Sequence, residues 1–172
     1  DDPSLFAKFL NLVPETKAAA TKIKEVYDKA DLTDLLRLYI KDWLIFKSDF
    51  LLDELLAEVK TVKEDEKNGT IENVRVLNAL AEVKWEAAEP LLRDLIASAQ
   101  PRLRTLANTL FYLHAIAEKD SAAEEKYREI LKTIASNRDQ PSYARDLAIE
   151  RLSSTEWAGR DEWYLALFQD ET

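Results

Sequence analysis

The residues that most often carry chemistry in proteins are scarce in this chain. Histidine occurs once, at position 114, and cysteine is absent from the 172 residues. Thiolate nucleophiles, disulfides and thiolate metal sites are therefore excluded, and a metal would need an all-oxygen site, for which no Asp-rich loop exists. His114 lies on the apolar side of its predicted helix without a set of polar partners, so we interpret it as a structural histidine.

No other motif supplies a reactive centre. With only Gly69 and Gly159, the chain has no Gly-rich phosphate loop, and its serines lack the context of a nucleophile elbow. Adjacent acids such as Glu124 and Glu125 point in different directions on a helix, unlike a catalytic carboxylate pair. We therefore predict no catalytic, cofactor-binding or metal-binding residues, and a protein that is not an enzyme.

The charge balance narrows the class of partner. There are 24 Lys and Arg against 33 Asp and Glu, a formal net charge of −9, and no segment collects a basic stripe. Nucleic acid is therefore a disfavoured partner, because phosphate neutralisation supplies most non-specific affinity for it. The longest apolar runs are about four residues against the roughly 20 that a membrane span requires, so we predict a soluble chain without membrane insertion.

The compartment is left open by the composition. Methionine is absent, even at position 1, so we expect a processed product or a piece of a longer protein. A cytoplasmic location is slightly favoured, and a secreted or periplasmic one after removal of a signal is compatible with the same residues.

Apolar residues recur with the helical period along the whole chain. The clearest stripe runs through residues 32–44 at i, i+3, i+4 and i+7, and no segment alternates as a strand would. Pro101 occupies a first-turn position of one helix, and Ser121 with Glu124 predicts a capping box at the start of the next. The sequence therefore predicts an all-α fold.

The helices are expected to pair. Successive pairs begin roughly 35–39 residues apart, the range of helix-pair repeats, which predicts a right-handed α-α superhelix (solenoid) of about four pairs. A closed helix bundle is the alternative packing. We expect one repeat domain over residues 1–172, with pairs near 14–47, 48–84, 85–119 and 121–153 and a trailing helix over 160–169.

Part of the chain resembles HEAT-like (HEAT/armadillo-type) repeats. Residues 88–96, Ala-Glu-Pro-Leu-Leu-Arg-Asp-Leu-Ile, look like a first helix with its proline, and 101–107, Pro-Arg-Leu-Arg-Thr-Leu-Ala, look like the start of a second. Residues 141–148 are a weaker echo. The resemblance implies stacked pairs whose second helices line a concave binding surface. It also implies an arginine, here Arg104 or Arg145, that pairs with an aspartate such as Asp139 in the turn between helices.

The face of each second helix opposite its core stripe is where this resemblance places a partner. We predict contacts with a protein or peptide on two consecutive second helices, at Asn108, Tyr112 and Ile116 and at Arg145, Asp146 and Ile149. Inter-repeat packing would explain the same residues, and for the arginines we favour that structural role over the capture of an acidic partner.

Aromatic residues crowd the C-terminal end of the chain. Trp163 and Phe168 lie on the predicted trailing helix and could dock a partner. We favour the alternative that they form the edge of the stack, covered by further repeats or by a second copy in a homodimer.

An alternative function comes from a different class. HEAT-like DNA glycosylases use a concave basic surface lined by Trp, Asp and Arg, and this chain offers Trp85 or Trp163, Asp94 or Asp146, and Arg145. No motif connects these residues, and the net charge of −9 disfavours the activity. A similarity to HEAT-like subunits of bilin lyases rests on fold analogy alone. The predicted function is therefore a non-catalytic protein-interaction or scaffolding module.

Overall fold

The structure of the chain is a computed structural model that describes residues 8–10, 12–29, 33–48, 52–59 and 74–169. No strand occurs within these ranges, so the all-helical prediction is confirmed for them. The helices are α1 (Lys17–Lys29), α2 (Asp34–Lys47), α3 (Leu52–Val59), α4 (Val74–Val83), α5 (Trp85–Ile96), α6 (Pro101–Glu118), α7 (Ser121–Ser136), α8 (Ser142–Ser153) and α9 (Arg160–Gln169).

The described residues fall into two compact units. The first contains the described residues up to Val59 together with Arg75–Ala88, and the second contains Val74 and the described residues from Glu89 onward. Each unit has its own buried apolar residues.

The first unit is built around the pair formed by α1 and α2, which pack against each other. Thr33 caps α2, because its side chain accepts a hydrogen bond from the Leu36 amide at 3.4 Å. Seven buried apolar side chains of this unit form one cluster, made of Leu10, Ala20, Ile40, Trp43, Leu44, Ile45 and Ala79.

The second unit has α6 at its centre. This helix packs against both α7 and α8, and those two helices also contact each other. The ring of Phe111 on α6 stacks on Tyr127 of α7 with centroids 5.0 Å apart. Because α6 has neighbours on more than one side, polar as well as apolar side chains along it are buried.

The junction between α6 and α7 differs from the predicted capping box. Lys119 adopts a left-handed conformation with φ of 58° and ends α6. Asp120 is then the N-cap of α7, and its carboxylate accepts hydrogen bonds from the amides of Ala122 and Ala123 at 3.1 and 3.0 Å. The prediction that Ser121 caps this helix is wrong, since the tight turn places the carboxylate one residue earlier.

Candidate functional site

The residues predicted to bind a partner fall into two groups in the structure. Asn108 and Tyr112 are buried, whereas Ile116, Arg145, Ile149 and Trp163 are half-buried and Asp146 is exposed. The side chain of Phe168 lies outside the described residues. The partner-accessible part of the predicted surface therefore shifts from α6 toward α8.

Tyr112 and Asn108 belong to the interior of the second unit. Tyr112 has no exposed surface, and its hydroxyl is hydrogen-bonded to the Thr155 hydroxyl at 3.0 Å. Asn108 is 3% exposed and donates from Nδ2 to the Arg104 carbonyl at 2.8 Å. Neither side chain offers a surface contact, because packing of α6 against its neighbours covers the face that its helical spacing left open.

Arg104 and Arg145 have structural partners. The Arg104 guanidinium donates to the Ser98 carbonyl at 3.3 Å and to Gln140 Oε1 at 3.1 Å. Arg145 Nε donates to the Ala135 carbonyl at 3.0 Å. Each arginine thus binds a carbonyl near the C-terminal end of the preceding helix, where a cation is favoured by the orphan carbonyls and the helix dipole.

A third arginine, which the sequence analysis missed, makes the same contact in the first unit. Arg37 donates from Nη1 to the Tyr27 carbonyl, in the last turn of α1, at 3.1 Å. Arg37, Arg104 and Arg145 are each the fourth residue of their helix. This shared position is the signal that could have identified Arg37 from the sequence.

Arg104 bonds an amide where an aspartate was expected. Asp139 is exposed, and Gln140, the next residue, accepts the bond from Arg104 instead. Arg104 therefore links the end of α5 to the loop before α8 through a neutral amide.

The outward surface of α8 is a continuous face, which we call the α8 outer face: Ser142, Asp146, Ile149 and Ser153. Ile149 is half-buried and the other three are exposed. The opposite side of the helix carries Ala144, Ala148 and Leu152, all with 0% exposure. One side of α8 thus packs inside the unit, while the opposite side carries hydroxyl, carboxylate and aliphatic groups, and Tyr164 of α9 contacts it at Ile149 and Ser153.

A comparable face on α7 provides a reference surface in the same unit. Ala122, Lys126, Glu129 and Thr133 are exposed and follow the helical spacing, and we call them the α7 outer face. Tyr127, Leu131 and Ala135 form the buried side of the same helix. Each outer face therefore lies opposite the buried side of its own helix, and the two faces differ in their amino-acid composition.

The C-terminal aromatic residues pack on one another. Trp163 contacts Trp157 with ring centroids 5.9 Å apart and Tyr164 in an edge-on arrangement at 4.9 Å. Tyr164 donates its hydroxyl to the Ile149 carbonyl at 2.9 Å, which places α9 beside α8. Leu165, by contrast, is 64% exposed. Covering of this end by a second copy or by further repeats stays a prediction.

Trp157 joins the segment after α8 to α7. Its ring lies under two cations from successive turns of α7, Arg128 at 5.5 Å and Lys132 at 5.6 Å. Its indole Nε1 donates to the Leu152 carbonyl at 3.2 Å. Two cation–π contacts and one hydrogen bond thus hold this ring in place.

We expect Trp157→Leu to lower the free energy of unfolding by about 1–2 kcal/mol, because it removes both cation–π contacts and the indole donor. Trp157→Phe should cost less, since the ring stays and only the donor is lost. Urea denaturation followed by circular dichroism measures both. Wild-type stability for both variants would contradict this role for the indole.

Among the described residues, pKa shifts arise from burial and from ion pairs between neighbouring side chains. Burial raises the pKa of the Tyr164 hydroxyl. A hydrogen bond to Asp28 raises the pKa of Lys24, and bonds to Glu156 and Asp161 raise that of Arg160. A raised pKa favours the neutral tyrosine and the charged lysine and arginine, which are the protonation states already present at neutral pH. These shifts therefore indicate structural contacts.

Comparisons with known proteins do not assign this chain to a family. No protein-family model, curated protein or solved structure matches the chain. Over the ranges that the structure describes, no three Asp, Glu, His or Cys side chains form a group that could hold a metal ion. Within the same ranges, no helix has the length and apolar character needed to cross a membrane.

Proposed function

We propose that this chain is a HEAT-like helical-repeat module, a right-handed stack of about four helix pairs, that binds a protein or peptide partner. Its contact surface is the α8 outer face, extended by Arg145 and by the half-buried Ile116 and Trp163. The function is one of binding or scaffolding, without a cofactor.

The repeated arginine contact supports the repeat architecture. In α2, α6 and α8 the fourth residue is an arginine that donates to a carbonyl near the end of the helix before it. The same side chain at the same helix position, used in the same way three times, is typical of a chain built from one recurring unit.

The composition of the α8 outer face supports the assignment of the binding surface. Asp146 is exposed and Ile149 beside it is half-buried, so a charged and an apolar contact are offered together. The backbone of this face is fixed, since the Ile149 carbonyl is bonded to Tyr164 and the helix packs on α6 and α7. A prearranged surface of this kind loses little conformational entropy when a partner binds.

The net charge of −9 supports a protein partner over a nucleic acid. A protein that binds the phosphate backbone of a nucleic acid needs a concentrated basic patch. On the α8 outer face the charged group is the carboxylate of Asp146, which favours a partner with a basic or hydrogen-bond-donating contact.

The test is affinity capture from an extract of the source cells with three forms of the chain. The first is the wild type, the second carries Asp146→Lys and Ile149→Gln on the α8 outer face, and the third carries Lys126→Glu and Thr133→Gln on the α7 outer face. We expect the wild type and the α7 variant to retain the same protein, and the α8 variant to lose it at least tenfold.

Circular dichroism and thermal melting of the three forms verify that each is folded. Equal retention by the α8 variant, or loss in the α7 variant alone, would show that the α8 outer face is not the contact surface.

A further inference from the structure

Three buried side-chain atoms in the described part of the chain lack a hydrogen-bond partner. They are Asn108 Oδ1, Thr109 Oγ1 and Arg151 Nε. All three belong to two helices of the second unit, the first two to α6 and the third to α8. A buried polar atom that stays unbonded is destabilising, so their concentration in one place calls for an explanation.

Two hydrogen bonds fix how α6 and α8 lie along each other. Near their N-terminal ends Arg104 bonds Gln140, and toward their C-terminal ends Tyr112 bonds Thr155. The two helices therefore run in the same direction. We call the contact region between these two bonds the α6–α8 seam.

The three unpartnered atoms lie at the same level of the α6–α8 seam. Asn108 and Thr109 precede Tyr112 by about one helical turn, and Arg151 precedes Thr155 by about one turn. The Thr155 hydroxyl is 3.4 Å from the Arg151 carbonyl, so Thr155 continues the side of α8 that carries Arg151. The helical register therefore places Asn108, Thr109 and Arg151 about one turn below the Tyr112–Thr155 bond.

The hydrogen-bonding capacities of these atoms are complementary to a group that both donates and accepts. Arg151 Nε can only donate. Asn108 Oδ1 can only accept, and the amide is held in this orientation because Nδ2 donates to the Arg104 carbonyl. The Thr109 hydroxyl can do either.

We propose that the α6–α8 seam contains a binding site for one internal water molecule, which accepts from Arg151 Nε, donates to Asn108 Oδ1 and bonds the Thr109 hydroxyl. Asn108 and Thr109 are 3% and 1% exposed, so the site is closed to bulk solvent and its occupant is internal. Three bonds to otherwise unsatisfied polar groups is the usual coordination of buried water. The water couples α8, which carries the proposed binding face, to the central helix.

A crystal structure of the full chain, at a resolution that orders internal solvent, tests the site directly. We expect one well-ordered water within hydrogen-bonding distance of Asn108 Oδ1, Thr109 Oγ1 and Arg151 Nε. A direct bond between Arg151 and Asn108, or a dry seam, would overturn the proposal.

A thermal measurement in solution tests the same site independently. If the Thr109 hydroxyl bonds the water, Thr109→Val lowers Tm by about 2–4 °C, the loss expected for one hydrogen bond in a chain of this size. If the hydroxyl is unbonded, its removal leaves Tm unchanged or raises it, which contradicts the proposal. Thr133→Val is the matched control: the Thr133 hydroxyl bonds the Glu129 carbonyl at an exposed site, where water can replace the lost bond, so Tm should shift by less than about 2 °C.

Discussion

Phe111→Ala should lower the free energy of unfolding of the second unit by about 3–5 kcal/mol, the range measured for buried aromatic residues replaced by alanine. Phe111 is 5% exposed and stacks on Tyr127 of α7. The guanidinium of Arg93 on α5 lies 5.3 Å from the centroid of its ring. Removal of the ring therefore opens a cavity where α5, α6 and α7 meet.

The measurement is guanidinium denaturation, followed by tryptophan fluorescence and by circular dichroism. Leu165→Ala is the matched control, since Leu165 is 64% exposed and its truncation should change the stability by less than about 0.5 kcal/mol. Similar losses for the two variants would mean that Phe111 is not at the centre of this unit.

Arg104→Leu should lower the free energy of unfolding by about 2–3 kcal/mol, because it removes charge-assisted hydrogen bonds to the Ser98 carbonyl and to Gln140. Arg104→Lys should recover only part of this loss. A lysine keeps the charge but lacks the planar group that donates in two directions at once.

A double-mutant cycle with Gln140→Ala separates the two bonds of Arg104. We expect a coupling energy of about 1 kcal/mol between these positions. Arg138→Leu, in the exposed loop before α8, is the control and should be neutral within about 0.5 kcal/mol. If Arg104→Leu leaves the free energy of unfolding unchanged, the arginine contact does not stabilise the packing of these helices. The repeated arginine would then no longer support the repeat architecture.

The all-helical character was predictable because apolar periodicity reports directly on helices. The same periodicity was misleading for α6, where Asn108 and Tyr112 were expected to face a partner but are buried, as are Thr105 and Thr109. Their polarity is accommodated partly by local bonds, such as that from the Thr105 hydroxyl to the Pro101 carbonyl at 2.9 Å. A periodic pattern cannot indicate that a helix has neighbours on several sides.

The candidate site was predictable in part. Asp146 and Ile149 lie on an accessible face, as the helical spacing indicated. Tyr112 does not, since its bond to Thr155 is a contact between residues 43 positions apart that no local pattern encodes. Arg37 was missed because the resemblance to HEAT-like repeats covers only the later part of the chain.

Site-specific photo-cross-linking shows whether the α8 outer face contacts a protein partner. A photoreactive amino acid is placed at position 146 in one sample and at position 126, on the α7 outer face, in another. Both are irradiated in an extract of the source cells. We predict that position 146 yields a discrete adduct with one protein and that position 126 does not. Adducts of equal yield from both positions, or an adduct from position 126 alone, would contradict the claim.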